Sequence, residues 1–449
     1  MNNDHIERIA TLNRDHTFFH WIKQKDANPI HVSHAQGVYF WDQNDKQYLD
    51  FSAQLVNVNV GHGNKKIIEA VTKQMGQISH AHAGQMTTEA RGLLGKKLSD
   101  IAPGDLDKTL FTLCGSTSNE TAIMLARFVT GKHKIITKYR SYHGCTNGAA
   151  ALSGDPRRLT FDQNTLVGGI VRVEDPYVYR CPWGQTTAQD TCKKALAHVE
   201  DVINFEGPDT IAAIFMEGES GTSGCIKYPE GYLKGIRQLA DKYNILFIAD
   251  EVMSGFGRCG EWFAVQNADV VPDMITTAKG LTSGYVPLGA VIMNKRIADY
   301  LEDHAFTFGM TYGAHPVACA AGVANLQVIE EEGLIENCRQ VGAYTAKCLE
   351  ELKQVNPSIG DVRITGLLGV IEVVKNRETK EPMAPWNAQP EDMKIMGQVF
   401  AKLRELGLFT FARWNHIFVG PPLIATNAHI DEGLEKISQA LKIADQYVE

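Results

Sequence analysis

Short apolar runs, each closed by glycine or polar residues, recur through the middle of the chain. "KTLFTLCG" (108–115), "KIITKYR" (134–140), "IAAIFMEG" (211–218), "NILFIADE" (244–251), "MITTA" (274–278) and "GAVIMN" (289–294) read as strands. Between them, "TSNETAIMLARFVTG" (117–131) and "EGYLKGIRQLADKYN" (230–244) repeat their apolar residues at helical spacing. Apolar strands alternating with helices predict an α/β fold with a mostly parallel sheet covered on both faces. Nearer the start, "GVYFWDQNDKQYLDF" (37–51) alternates and turns at Asn44-Asp45, which predicts β-structure of a different kind. From His315 to Val355 the pattern is helical throughout, and the last stretch mixes helices with short strands. The predicted organisation is an N-terminal segment (1–60), a large α/β domain (61–325) and a C-terminal part (326–449). The first and last together form a smaller domain.

At 449 residues the chain exceeds a single small core. With 44% hydrophobic and 21% charged residues it has an ordinary globular composition, which argues against disorder and coiled coil. A formal charge of -8 speaks against a nucleic-acid or anionic-membrane surface, though not against a locally positive cleft. No apolar run approaches the ~20 residues of a membrane span. The opening "MNNDHIERIATLNRDHTFFHW" lacks the apolar core of a signal peptide. The nine cysteines are scattered without a C-x-x-C, as expected of reduced thiols in a cytoplasm.

Lys279 stands at the end of an apolar strand, before a glycine-rich loop with almost no other charge near it. Burial disfavours the ammonium form, and a neutral amine is a nucleophile suited to a Schiff base. Asp250 ends the preceding apolar strand, where α/β sheets bind ligands and where a carboxylate can face a pyridinium nitrogen. Gly115-Ser116-Thr117 lie where a strand passes into a helix, a natural anion site. "SYHG" then brings Tyr142, a ring able to stack on a flat heterocycle, and His143. A lysine, a carboxylate, a phosphate cradle and a stacking ring are together what pyridoxal 5′-phosphate requires. Gly255–Gly260 matches G-x-G-x-x-G but lacks the strand–turn–helix context of a dinucleotide site. His80 and His82 are read as structural rather than metal-binding, because pyridoxal chemistry needs no metal.

The chain resembles the class III aminotransferases, in the fold-type I group of pyridoxal-phosphate enzymes. The likeness runs from "GVYFWDQNDKQYLDF" through "CGSTSNE", "SYHG", "ADEVMSGFGRCG" and "TTAKGLTSGYVPLG" to "TYGAHPVACAAG" and "HIFVGPPLIAT". It implies that Lys279 bonds the cofactor covalently, Asp250 pairs with its ring nitrogen, and Tyr142 covers one ring face with His143 nearby. It further implies that the Gly115-Ser116-Thr117 turn holds the phosphate, that Glu217 supports the site, and that Thr311 reaches the phosphate of a neighbouring subunit. A homodimer or a dimer of dimers with shared active sites follows. The family's usual glutamate-proline pair is here Glu217-Gly218, and the second glutamate of ornithine-type enzymes is replaced by Thr222. Arg413 matches the region of a mobile arginine that binds acidic groups, and Trp21 falls in a segment that folds over the active site. These features resemble taurine aminotransferases. The expected reaction moves the amine of an ω-amino acid to a 2-oxo acid, with 2-oxoglutarate or pyruvate as acceptor. An aminomutase or lyase on the same scaffold is the alternative.

Overall fold

The computed structural model describes residues 3–162 and 168–449. Its centre is a seven-stranded sheet of Leu106–Thr112 (β1), Lys134–Lys138 (β2), Ile170–Val173 (β3), Ile211–Glu217 (β4), Leu246–Asp250 (β5), Met274–Thr277 (β6) and Gly289–Asn294 (β7). The strand order is β1-β7-β6-β5-β4-β2-β3. The pairs β3–β2, β2–β4, β4–β5 and β5–β6 are parallel, and β7 runs antiparallel to both β6 and β1. A glycine-rich loop joins β6 to β7, too short for the helical crossover that a parallel pair requires, so the chain must reverse. β3 lies at the edge, short and interrupted by Arg172, and the apolar pattern did not reveal it.

The central strands are apolar on both faces because helices cover both. Every residue of β4 is buried. Ala213 and Phe215 pack in one cluster with Ile123, Leu125 and Ala126 of the helix Gly115–Thr130 (α1). Ile214 and Met216 pack in the opposite cluster with Val199, Ile203 and Ile236. This is the period of two that a strand imposes, with each fully buried aliphatic side chain contributing about 1.5–3 kcal/mol.

Outside this layer, Val32–Gln36, Tyr39–Asp42 and Gln47–Asp50 form an antiparallel meander. Leu408–Phe409 adds to it, parallel to Gln47–Asp50, so the two ends of the chain share a sheet. A further antiparallel sheet joins Ile359–Thr365, Leu368–Asn376, His416–Val419 and Ala412–Arg413. The helical stretch after His315 is two helices, Pro316–Glu331 and Leu334–Val355, broken at Gly333, whose φ of +62° suits a residue without Cβ. Gly255–Gly260 lies in consecutive turns with no helix opening directly from it, so the dinucleotide context is absent. Among the described residues no helix is long and apolar enough to cross a membrane.

Candidate active site

Parallel strands end together, and the ends of β4, β5 and β6 bring three ionisable side chains to one cavity. Glu217 is the register partner of Asp250, and Asp250 that of Thr276. Lys279 follows β6 and opens the single turn Lys279–Leu281. The cavity, about 330 Å³, is walled by these three residues with Tyr142, His143 and Ser116. Lys279 adopts φ +42°, a left-handed conformation costly for a residue with a Cβ and frequent at functional sites. Burial pushes its amine down to about 8; the Asp250 carboxylate opposes the shift and the Arg157 charge adds to it.

Asp250 is buried and held from three sides. Its Oδ2 accepts a hydrogen bond from Asn119 Nδ2 at 2.8 Å and lies 2.7 Å from His143 Nδ1, while Oδ1 accepts from the Val252 N–H at 2.9 Å. Asn119 also donates to the His143 carbonyl at 2.7 Å, which ties α1 to the "SYHG" loop. These contacts fix the orientation of the Asp250 side chain. Asn119 went unremarked in the sequence; its place in the second turn of the phosphate-site helix was the available signal.

At the start of α1, a Cβ on Gly115 would stand 2.7 Å from Val252 Cγ1, so the tight approach of this turn to the strand-end loop needs glycine. The first N–H groups of a helix have no partner within it. Ser116 is part of the cavity wall, and its Oγ accepts from the Cys145 N–H at 3.1 Å. Thr117 is placed differently from Gly115 and Ser116. Its hydroxyl folds back on the turn, accepting from the Leu113 and Cys114 N–H groups at 3.1 and 3.0 Å, and it is absent from the cavity wall.

Tyr142 carries the Arg157 guanidinium over its ring, 3.6 Å from the centroid. Arg157 donates to Asp155 through Nε at 2.9 Å and through Nη2 at 3.3 Å, and to Thr222 Oγ1 at 3.1 Å. Asp155, fully buried, also accepts both terminal nitrogens of Arg413, the Nη2 bond being 3.1 Å. Arg413 therefore meets the active-site margin through Asp155 and does not itself wall the cavity. Thr222, where ornithine-type enzymes carry a glutamate, is here a hydroxyl partner for Arg157.

Burial pushes the Glu217 carboxyl up, and Lys138 pulls it back. Lys138, with no exposed surface, lies 3.5 Å from Glu217 and 3.4 Å from Asp175. Burial works to lower its pKa, but the two acids outweigh that and the net shift is upward. Gly218 has a steric reason, since a Cβ there would stand 2.1 Å from Glu251 Oε1. The proline of the family's usual pair would meet the same obstacle.

Two expected residues lie apart from this constellation. Trp21 is 68% exposed, and Thr311 is exposed on a second cavity that also includes His80 and His82. Among the described residues no three His, Cys, Asp or Glu side chains converge as a metal set.

A desolvated amine, a buried carboxylate fixed by two side chains, a helix start stripped of a Cβ and an aromatic residue in the cavity wall suit pyridoxal 5′-phosphate. The family model for class-III aminotransferases matches residues 22–441. The taurine:2-oxoglutarate aminotransferase of Bifidobacterium kashiwanohense, solved in complex with PLP and glutamate, matches with a TM-score of 0.95 and 39% identity over 99% of both chains. The taurine–pyruvate aminotransferase of Bilophila wadsworthia is 33% identical, with 99% of each chain covered. The leucine/methionine racemase of Thermococcus litoralis is 35% identical over 92% of this chain and 90% of its own. The chain is a class-III aminotransferase, a fold-type I enzyme that uses pyridoxal 5′-phosphate.

Proposed function

We propose that this enzyme moves the amine of an ω-amino acid to a 2-oxo acid, with taurine and 2-oxoglutarate as the leading pair and sulfoacetaldehyde and glutamate as products. The observation that carries the substrate reading is the basic cluster beside Tyr142, two guanidiniums against one carboxylate, at the edge of the cavity. The likeness to two taurine aminotransferases supports it. Pyridoxal 5′-phosphate, when bound, supplies an aldehyde for the amine and a conjugated ring that accepts electrons from the donor's amine-bearing carbon.

Lys279 is the residue that anchors the cofactor, and its Nζ then carries the proton away from the donor's amine-bearing carbon. An amine near 8 releases and recovers a proton close to neutral pH, as a general base must. Asp250 would face the ring nitrogen, and the contacts with Asn119, His143 and the Val252 N–H keep its side chain aimed. The N–H groups of the α1 start, with Ser116, take the phosphate. Tyr142 offers its ring as a stacking face, with Glu217 and His143 behind. The arginine cluster to which Arg413 belongs takes the acidic end of donor and acceptor in turn. Trp21 and Thr311, both exposed in a single chain, are assigned to an assembled homodimer or dimer of dimers, Trp21 as cover and Thr311 toward a neighbour's phosphate.

A panel of taurine, β-alanine, γ-aminobutyrate, putrescine and an uncharged amine, each with 2-oxoglutarate and with pyruvate, tests the assignment. Acidic donors should have the highest kcat/KM and turnover should require the acceptor. Preference for uncharged amines would overturn the substrate reading. Reaction of a single amino acid without any acceptor would favour an aminomutase, lyase or racemase instead.

A further inference from the structure

The strand Ile359–Thr365 pairs with Leu368–Asn376 so that Asp361 lies opposite Glu372 and Arg363 opposite Val370. Two acids facing each other across an antiparallel pair repel, and Arg363, two positions along on the same face, answers both. Its Nη1 donates to Asp361 Oδ2 at 2.5 Å and to Glu372 Oε2 at 2.8 Å. Glu372 is buried and also accepts from Arg180 Nε at 2.7 Å and from the Tyr177 hydroxyl, both on the segment after β3. Burial works against its charge, but His416, Arg363 and Arg180 outweigh burial and hold the carboxyl well below the usual range. The rest of the Arg363 guanidinium reaches out of the sheet. Its Nε and Nη2 both donate to the Gly224 carbonyl, at 3.0 and 2.8 Å. Glycine suits this close approach: φ is +117°, and a Cβ there would stand 3.1 Å from the His416 ring. Gly224 belongs to the stretch 218–231, which runs from β4 to the helix Tyr232–Lys242 without helix or strand of its own. Glu219 and Thr222, on that stretch, are part of the cavity wall. A turn closes at its centre, where the Gly224 and Cys225 N–H groups donate to the Gly221 carbonyl at 3.1 and 2.9 Å. That turn fixes the loop to itself; Arg363 fixes it to the C-terminal sheet.

We propose that Arg363 is a positioning residue for the reaction: from the C-terminal sheet it holds the Gly224 carbonyl and so sets where the loop after β4 places Glu219 and Thr222 in the cavity wall. A guanidinium can do this because its donors spread in fixed directions from one plane, so one part pairs with acids while another grips an acceptor. Asp361 and Glu372 keep Arg363 in place, and Arg180 and Tyr177 tie the same Glu372 to the segment after β3. This part of the wall therefore depends on how the C-terminal sheet docks. Lys279, Asp250 and the start of α1, which serve the cofactor, stand on other elements. The inference stands whichever ω-amine is the donor.

The test compares Arg363→Gln, Arg363→Lys and Gly224→Ala with the parent, using the best donor and acceptor of the panel above. Gly224→Ala pushes the loop off the sheet while leaving the Arg363 charge untouched. Arg363→Gln and Gly224→Ala should raise KM for donor and acceptor about tenfold or more, the lower end for losing a hydrogen bond from a charged group. Their kcat should be within about threefold of the parent. Arg363→Lys keeps a charge for the acids but not the planar spread of donors, so its KM should fall between parent and Arg363→Gln. In the apoenzyme, hydrogen exchange of peptides covering 218–225 should quicken about tenfold or more in Arg363→Gln, while peptides of α1 exchange as in the parent. The rate at which apoenzyme captures pyridoxal 5′-phosphate on Lys279, read by borohydride trapping, should be unchanged. Parent-like KM in both Arg363→Gln and Gly224→Ala, or parent-like exchange over 218–225, would overturn the inference. Cofactor capture that slows in step with the rise in KM would also overturn it, because Arg363 would then support the whole fold rather than this wall. If Arg363→Gln does not fold, Arg363→Lys and Gly224→Ala decide by the same three readings.

Discussion

Replacing Asp250 by asparagine should move the pH at which Lys279 captures the cofactor, and it should move it downward. The Lys279 amine sits near 8 because burial penalises its charged form, while the Asp250 carboxylate favours that form and limits the shift. Only the free base attacks an aldehyde, so the capture rate rises with pH through the amine's pKa and levels off above it. At pH 7.5 a pKa near 8 leaves about a quarter of the amines as free base, against roughly one in a thousand for a lysine near 10.4. The fold thus supplies on the order of 200-fold in reactive amine at neutral pH.

Asparagine keeps the shape of Asp250 and removes its charge. The opposing force is then gone, the amine falls further, and the midpoint moves to lower pH. Arg157→Gln acts with the opposite sign, because its guanidinium helps to depress the amine; the midpoint should rise. The assay mixes apoenzyme with saturating pyridoxal 5′-phosphate from pH 6 to 10, quenches with borohydride and counts labelled Lys279 by mass spectrometry. Rates are normalised to each variant's plateau, so that altered cofactor affinity does not enter the midpoint. A parent midpoint above 10, or a midpoint that fails to fall in Asp250→Asn, would refute the reasoning.

Three further outcomes are expected. Lys138→Met should destabilise the protein by about 3–5 kcal/mol, read as a lower denaturant midpoint, because Glu217 and Asp175 would be left buried without their cation. A loss under 1 kcal/mol would refute the pairing of Lys138 with these acids. Asn119→Leu should weaken cofactor retention and cost about 1–3 kcal/mol in stability, since Asp250 and the His143 carbonyl each lose a donor; unchanged cofactor release in dialysis would detach Asn119 from the site. Gly115→Ala should raise the Kd for pyridoxal 5′-phosphate at least tenfold while barely affecting that for pyridoxal, because the added Cβ displaces the phosphate turn from Val252.

The α/β layer was legible because its signal is local. Strands such as 211–217 and 246–250 are apolar at every position but the last, and the last position is where Glu217 and Asp250 stand. A charged residue ending a wholly apolar strand is visible without any tertiary information, and parallel topology then guarantees that neighbouring strand ends meet. Lys279 was legible as a lone charge between a short strand and a glycine-rich loop. β3 was not, because four residues with an arginine among them carry little periodic signal. The reversal of β7 was not foreseen either; it follows from the length of a loop rather than from the strand's own residues.

The second tier of the site had no such local mark. Thr117 carries the same residue chemistry as Ser116, yet the Thr117 hydroxyl caps the turn while Ser116 is part of the cavity wall and accepts from the Cys145 N–H. Arg157 lies fifteen positions past Tyr142 in a stretch with another arginine beside it, and nothing in the string distinguishes the one that covers the tyrosine ring. Asp155 and Arg413 are 258 residues apart in sequence and meet only because the edge of the C-terminal sheet comes against the turn that Asp155 caps, beyond the helix Asn147–Leu152. Reaction class depends on groups at adjacent strand ends, which topology brings together in any sequence of this pattern. How Asp155, Arg157 and Arg413 are arranged beside the Tyr142 ring is set instead by contacts between distant segments, which no local pattern marks.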